Sequence, residues 1–176
     1  NLMARRGVSP DIAKAVMRTN TTAIGAVMVH RGEADSLICG TFGEFRWHLN
    51  YVDQVLGRDG RCPIGALSMM ILEDGPLFIA DTQVNLHPNP EQIAEIARGA
   101  ARHVRRFGLE PRIAFCCQSQ FGNQGEGTGG RLRGALKILD QEKADFCYEG
   151  EMNIDTALDP ELRERKAPQP PVDHTT

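Results

Sequence analysis

Two short stretches hold most of the side chains able to do chemistry. The first is FCCQSQFGNQGEGTGGRLRGAL, Phe115 to Leu136, with five glycines between Gly122 and Gly130 after an apolar run. Glycines placed there let a backbone approach a ligand closely, often an anion. Ser119, Gln120 and Asn123 add neutral hydrogen-bonding groups around Gly122, beside the end of the apolar run. The second stretch, YEGEMNIDTAL, sets Glu149, Glu151 and Asp155 within seven residues. Carboxylates so spaced serve as acid, base or metal ligand, or as a helix cap with a solvated edge, the role that Asp155 suits. A third group, Asp81, Thr82 and Asn85 in ADTQVNLHPNPEQIAEIA, lies where a strand ends; its side chains either line a cleft or cap loop amides.

Gly125, Gly127 and Gly130 satisfy G-x-G-x-x-G as text, but not as mechanism. A dinucleotide fold turns directly out of its strand at the first glycine, whereas Gln118 to Gln124 intervene here. No Gly-Lys-Ser/Thr closes the loop as in a P-loop. Two readings stay open: a flexible surface crossover, or an anion loop of another kind. Ligands of open α/β sheets bind outside the carboxyl ends of strands, where this loop begins.

The elements that must position these residues are legible from period and punctuation. SPDIAKAVMR opens a helix with Ser9 as N-cap and Pro10 in its first turn. Residues 21–31 fit a helix by spacing and a strand by β-branched content. SLICG reads as a short buried strand and residues 44–56 as a helix. IGALSMMIL and LFIAD read as two strands joined at EDGP. The clearest helix is 90–107, with Ile93, Ile96, Ala97, Ala100, Val104 and Phe107 as its apolar stripe and Gly108 at its stop. RIAFCC is a buried strand, RLRGALKILDQ a helix, DFCYE a strand, and DTALDPELRER a helix starting near Asp155. Alternation of this kind gives a layered α/β domain with a largely parallel sheet. The domain is expected over 1–166, with a Pro-rich tail over 167–176.

Composition excludes several classes. The 176 residues carry a net charge of −3, 41% apolar and 24% charged side chains, which suits a globular chain with a real core. Arg98, Arg102, Arg105 and Arg106 share their helix face with Glu91 and Glu95, a solvated surface rather than a nucleic-acid face. No stretch reaches the ~18–20 apolar residues of a membrane helix. The five cysteines form no C-x-x-C pair, and Cys39, Cys116, Cys117 and Cys147, in or beside apolar runs, read as reduced core thiols of a cytoplasmic protein. The five histidines show no zinc spacing. The opening at Asn1, inside a helix-like segment, suggests an excised piece of a longer chain.

Taken in order, RRGVSPDIAKAVMR, AVMVHRGEADSLICG, FIADTQVNLHPNPEQIAEIA, FGLEPRIAF with SQFG, and YEGEMNIDTAL resemble the phosphate acetyl/butyryltransferase family over about residues 2–163. The resemblance implies a three-layer α/β/α fold, one lobe of two around a cleft for acyl-CoA and phosphate, and a helix at 21–31. In detail the chain looks most like the transferase-like domain at the C-terminus of large bacterial NADP-dependent malic enzymes. Ser119-Gln120-Phe121-Gly122-Asn123 is closer to their Ser-Asn-Phe-Gly-Ser than to the Ser-Thr-x-Gly-Ser of stand-alone enzymes.

The departures bear on activity. The family's catalytic Ser-Arg pair and following Asp belong to a region beyond the end of this chain. Met3 stands where a further arginine is expected, with Arg5 and Arg6 nearby, and a thioether cannot replace a bidentate guanidinium. No catalytic residue is therefore assigned. The resemblance implies a cleft lined by Arg5, Arg6, Asp81, Thr82, Ser119, Gln120, Gly122, Asn123, Glu151 and Asp155, which binds acetyl-CoA or acetyl phosphate. It places NADP, a divalent metal (Mg or Mn) and the decarboxylation of malate in upstream malic enzyme domains, within a homo-oligomer. Two alternatives remain: a catalytic phosphate acetyltransferase lacking its second lobe, and an oligomerisation module without ligand.

Overall fold

A computed structural model describes residues 7–57, 63–122 and 127–166. The chain divides into two compact units, Asn1–Cys62 and Pro63–Thr176.

The first unit is helical. Helices α1 (Pro10–Thr19) and α2 (Thr21–His30) meet at Asn20, whose side chain caps α2 by accepting from the Ala23 amide at 2.9 Å. Ser9 caps α1, accepting from the Ile12 amide at 3.3 Å. The ambiguous segment 21–31 is thus helical, as the resemblance implies. Helix α3 (Phe45–Leu56) packs on α2 around a buried histidine. His48 Nε2 donates to the Phe42 carbonyl at 2.7 Å, so Nδ1 accepts from the Thr22 hydroxyl at 2.8 Å. SLICG is not a strand: residues 36–40 form no ladder, and Ile38 is 95% exposed. A short apolar run with no pairing partner does not become a strand on propensity alone.

The second unit begins with an antiparallel hairpin, β1 (Leu67–Leu72) and β2 (Gly75–Ala80), turning at Glu73-Asp74. Helix α4 (Pro90–Arg106) follows, opened by a capping box in which Asn89 and Gln92 satisfy each other's amides. Strand β3 (Arg112–Cys116), helix α5 (Thr128–Glu142) and strand β4 (Cys147–Met152) form a βαβ unit with β3 and β4 parallel. Two short helices, α6 (Ile154–Leu158) and α7 (Pro160–Lys166), replace the single helix expected there. Pro160 disfavours α backbone at Asp159 and opens the new helix. The class is α/β with a parallel pair, and the hairpin is its antiparallel part.

The core joins α4, α5 and the parallel pair through Ala94, Ala97, Ala101, Phe115, Leu132, Ala135, Leu139 and Phe146. The fully buried face of α4 is therefore its alanines, while Phe107 at its end is 58% exposed. Small side chains bring two helices close, so bulk at that contact is supplied by the leucines of α5. The arginines of α4 carry ion pairs: Arg98 with Glu95 and Glu142, Arg105 with Asp145 at 2.8 Å. Cys39, Cys116 and Cys147 are free but exposed, not core thiols, and Cys117 is half-buried. Strand β3 is only part-buried, with Phe115 as its single buried residue. Among the described residues no helix is long and apolar enough to cross a membrane.

Two helix-interior glycines make opposite predictions. A Cβ at Gly134 of α5 would lie 2.9 Å from Pro90 Cγ, a rigid ring that cannot yield, whereas at Gly99 of α4 it would meet only the Arg102 guanidinium at 3.8 Å. Gly99→Ala is expected to stabilise by about 0.5–1 kcal/mol through helix propensity. Gly134→Ala is expected to destabilise by about 1 kcal/mol, overpacking outweighing the same propensity gain. Urea unfolding of both variants checks the signs.

Candidate functional site

The site is built where β3 ends, where α5 begins and where β4 departs from its register. Along the parallel pair Ala114 faces Glu149 and Phe115 faces Gly150, but Cys116 faces Met152. Glu151 is the extra residue, and a bulge of this kind re-aims a side chain. The approach is close: a Cβ at Gly150 would stand 2.7 Å from the Phe115 carbonyl oxygen, and its φ of 149° lies where L residues are strained.

Glu151 has no exposed surface. Three donors converge on its Oε1: the Ser119 hydroxyl at 2.7 Å, the Gly122 amide at 2.9 Å and the Arg133 guanidinium at 2.6 Å. Its backbone carbonyl also accepts from the Phe121 amide at 2.8 Å. Burial alone would push this carboxyl up. The Ser119 hydroxyl, the Gly122 amide and the Arg133 charge outweigh burial and hold it below its ordinary range. Oε2 is buried, and no donor among the described residues reaches it.

The chain bends sharply to deliver these donors. Phe121 and Gly122 both have positive φ, 45° and 85°. For phenylalanine this conformation costs about 1–2 kcal/mol, offset here by the paired bonds to Glu151. Gly129, in the first turn of α5, supplies room: a Cβ there would meet Glu151 Oε1 at 3.1 Å and Ser119 Cβ at 3.1 Å. Next to this network, the Gln120 side chain donates to Thr156 Oγ1 at 2.9 Å. Thr156, fully buried, donates in turn to Asp155 Oδ1 at 3.3 Å.

The three carboxylates of YEGEMNIDTAL therefore go separate ways. Glu149 pairs with Arg163 of α7, both nearly fully buried, and burial lowers the Arg163 pKa. Glu151 binds the loop. Asp155 is exposed, in the first turn of α6 rather than at its N-cap, which is Asn153; it also faces Lys166 at 3.7 Å. No two of them share a proton or a ligand position.

Of the other expected residues, Asp81 caps loop amides. Its Oδ1 accepts from the Ala66 amide at 3.1 Å and its Oδ2 from the Asn85 amide at 3.0 Å. Thr82 beside it is exposed. Ser119, Gln120, Gly122, Glu151 and Asp155 come together at one end of the β3–β4 pair. Met3, Arg5, Arg6 and Asn123 lie outside the described residues. Sequence reasoning missed Arg133, Thr156 and Gly129. One signal was available for Arg133: arginines in the first turns of a helix oppose its dipole, so Arg131 and Arg133 in RLRG announce a nearby carboxylate. Among the described residues no three His, Cys, Asp or Glu side chains gather as a metal site.

The pH dependence follows from the lowered carboxyl of Glu151. Its contribution to stability is fully present above the ordinary value of 4.5 and is lost as pH falls through the lower folded value. Glu151→Gln is expected to cost about 2–3 kcal/mol at neutral pH, the range for hydrogen bonds to a buried charge with one partly solvated partner. That deficit should shrink steadily below pH 4.5. Urea unfolding across the acid range checks it; a deficit independent of pH would assign the loss to packing.

Comparison with known proteins adds four findings. A model described as phosphate acetyl/butaryl transferase matches residues 1–176. The NADP-dependent malic enzyme of Salmonella typhimurium is 44% identical over 172 residues, 97% of this chain and 23% of that protein. The phosphate acetyltransferase of Synechocystis is 32% identical over 169 residues, 95% of this chain and 24% of its own length. In fold, a phosphotransacetylase from Streptococcus pyogenes superposes with a TM-score of 0.83 at 24% identity, over 96% of this chain and 52% of that one. The chain thus spans about a quarter of the length of these curated relatives.

Proposed function

Because the chain belongs to the phosphate acetyl/butaryl transferase family, we infer that it is the transferase-like, acyl-CoA-sensing domain of a multidomain NADP-dependent malic enzyme. The observation that carries this reading is the contrast in similarity: 44% identity to a malic enzyme against 32% to a phosphate acetyltransferase, over nearly the same length. In this reading the oxidative decarboxylation of malate, with its NADP and divalent metal, belongs to the rest of the longer protein. Acetyl-CoA acts on this domain as effector, and the assembly is a homo-oligomer.

The loop chemistry supports sensing over turnover. The Ser119 hydroxyl and the Gln120 amide, two groups expected to face a ligand, are turned inward to Glu151 and Thr156. Donors already committed to a buried carboxylate are poorly placed to stabilise charge that develops on a transferring acyl group. They are well placed to transmit ligand binding, because hydrogen bonds to Glu151 join Ser119, Gly122 and Arg133 of α5 to the end of β4. An effector still needs different affinities for two states of the enzyme.

A second reading, catalysis of acetyl transfer to phosphate, is favoured by the Synechocystis relative and is separated by the same experiment. In the full-length protein, acetyl-CoA is expected to bind this domain and to change the rate of malate decarboxylation about five- to a hundredfold, the usual range of allosteric coupling. Acetyl phosphate formation from acetyl-CoA and phosphate is expected to stay far below about 10 per second. Turnover at that rate establishes the transferase reading instead. Absence of acetyl-CoA binding leaves the domain an assembly module.

A further inference from the structure

Cys116 and Cys117 put two thiols side by side in the chain, between β3 and the loop that binds Glu151. Strand β3 ends at Cys116, so Cys117 lies in a bend, where the alternation of side chains between two faces no longer holds. Solvent reaches both residues: Cys116 is exposed and Cys117 half-buried. The Cys116 thiol donates along its own strand to the Ala114 carbonyl at 3.6 Å. The Cys117 sulfur turns to the loop instead. It accepts from the Ser119 amide at 3.3 Å and donates to the Ser119 carbonyl at 3.7 Å. Ser119 in turn donates to Glu151 at 2.7 Å. One sulfur of the pair is thus open to solvent, and the other steadies the residue that leads into the Glu151 network.

We propose that Cys116 and Cys117 form a two-sulfur modification site for a trivalent arsenical, and that bridging the sulfurs draws Cys117 away from Ser119. Geometry separates a bridge from a direct disulfide. The peptide between the two residues is trans, which sets their Cα atoms about 3.8 Å apart. An unstrained disulfide needs about 4.4–6.8 Å. An arsenic atom between the sulfurs lengthens the link and removes that conflict. A third sulfur is out of reach along the sheet: Cys147 pairs with Arg112, four residues before Cys116, or about 13 Å along the strand. Cys39 belongs to the first unit. The step balances with an arsenic(III) oxide. Two arsenic–sulfur bonds form, the arsenic–oxygen bond breaks, and the two thiol protons leave with the oxygen as water. Nothing is oxidised or reduced. Partial burial and the sulfur beside it push the Cys116 pKa up, so it enters as the thiol that this step consumes. A bridged Cys117 has no S–H left to donate to the Ser119 carbonyl. The inference rests on these thiols alone and stands whatever effector the longer protein takes.

Phenylarsine oxide is the probe, added to the 176-residue chain with an excess of a monothiol. The monothiol strips arsenic from single cysteines but not from a bridged pair. The wild type should retain one phenylarsenic group, released by a dithiol, on the tryptic peptide 113–131, whose two cysteines are Cys116 and Cys117. Cys116→Ser and Cys117→Ser should each lower retention about tenfold or more, while Cys39→Ser and Cys147→Ser keep it. In the adduct, hydrogen exchange at the Ser119 amide should quicken about tenfold or more, because its sulfur partner has moved. Peptide mapping and exchange are read on the wild type, so a serine variant that fails to fold leaves the test intact. Retention on any other peptide, or no retention at all, would overturn the proposal. So would full retention in a folded Cys116→Ser or Cys117→Ser, or an adduct in which Ser119 exchanges as before.

Discussion

A carboxylate with no exposed surface has to be matched by donors, and in this chain that requirement organises the neighbourhood of the parallel pair. Glu151 is fully buried, and leaving such a charge unpaired would cost about 3–5 kcal/mol. The donors lie 18 to 32 residues before Glu151 in the chain: Ser119 after β3, Gly122 in the turn, and Arg133 in α5. Meeting the requirement goes with the left-handed turn at Phe121 and Gly122 and leaves little room for a side chain at position 129. It also accounts for the register shift beside Phe115, which frees Glu151 from the ladder and aims it at the loop.

The neighbouring carboxylate does a different job by the same physics. Glu149 pairs with Arg163, and the two are nearly sealed from water, which ties α7 to β4. Burial pulls the Arg163 pKa down, as expected when a guanidinium leaves water. A buried pair of this kind adds little net stability over apolar packing, but breaking one half is costly. Two carboxylates two residues apart therefore pin different elements: α7 through Glu149, the glycine loop through Glu151. Closeness in sequence says little about which charges interact when a strand bulges between them.

The helices were legible because their signals are local. Ser9-Pro10 and Asn89-Pro90 start helices, Gly108 stops one, and α4 carries an unbroken apolar period. The hairpin was legible for the same reason, from two apolar runs around a tight turn. SLICG failed because strand formation depends on a partner that no local pattern supplies. The burial of cysteines failed similarly: sitting in an apolar run places Cys116 and Cys147 on a strand, not on its covered face. At the site, Ser119, Gly122 and Glu151 were each visible as suitable types, but their mutual engagement is set by sequence separations of 29 to 32 residues. The role expected of Ser119, a donor facing a ligand, did not anticipate an acceptor supplied by the chain.

That internal acceptor links fold to function. A transferase loop has to present unspent donors to a charge that appears only in the reaction, and water or substrate must be displaced cleanly from them. Here the donors are spent in the ground state, with Ser119 buried, Gly122 exposed and Arg133 with a third of its side chain exposed. The turn, α5 and β4 meet at the single oxygen Oε1, so loss of any one donor changes the surroundings of the other two. The contacts of this site are thus made within the chain itself, in a sequence whose relatives include a phosphate acetyltransferase and a malic enzyme, of each of which it spans about a quarter.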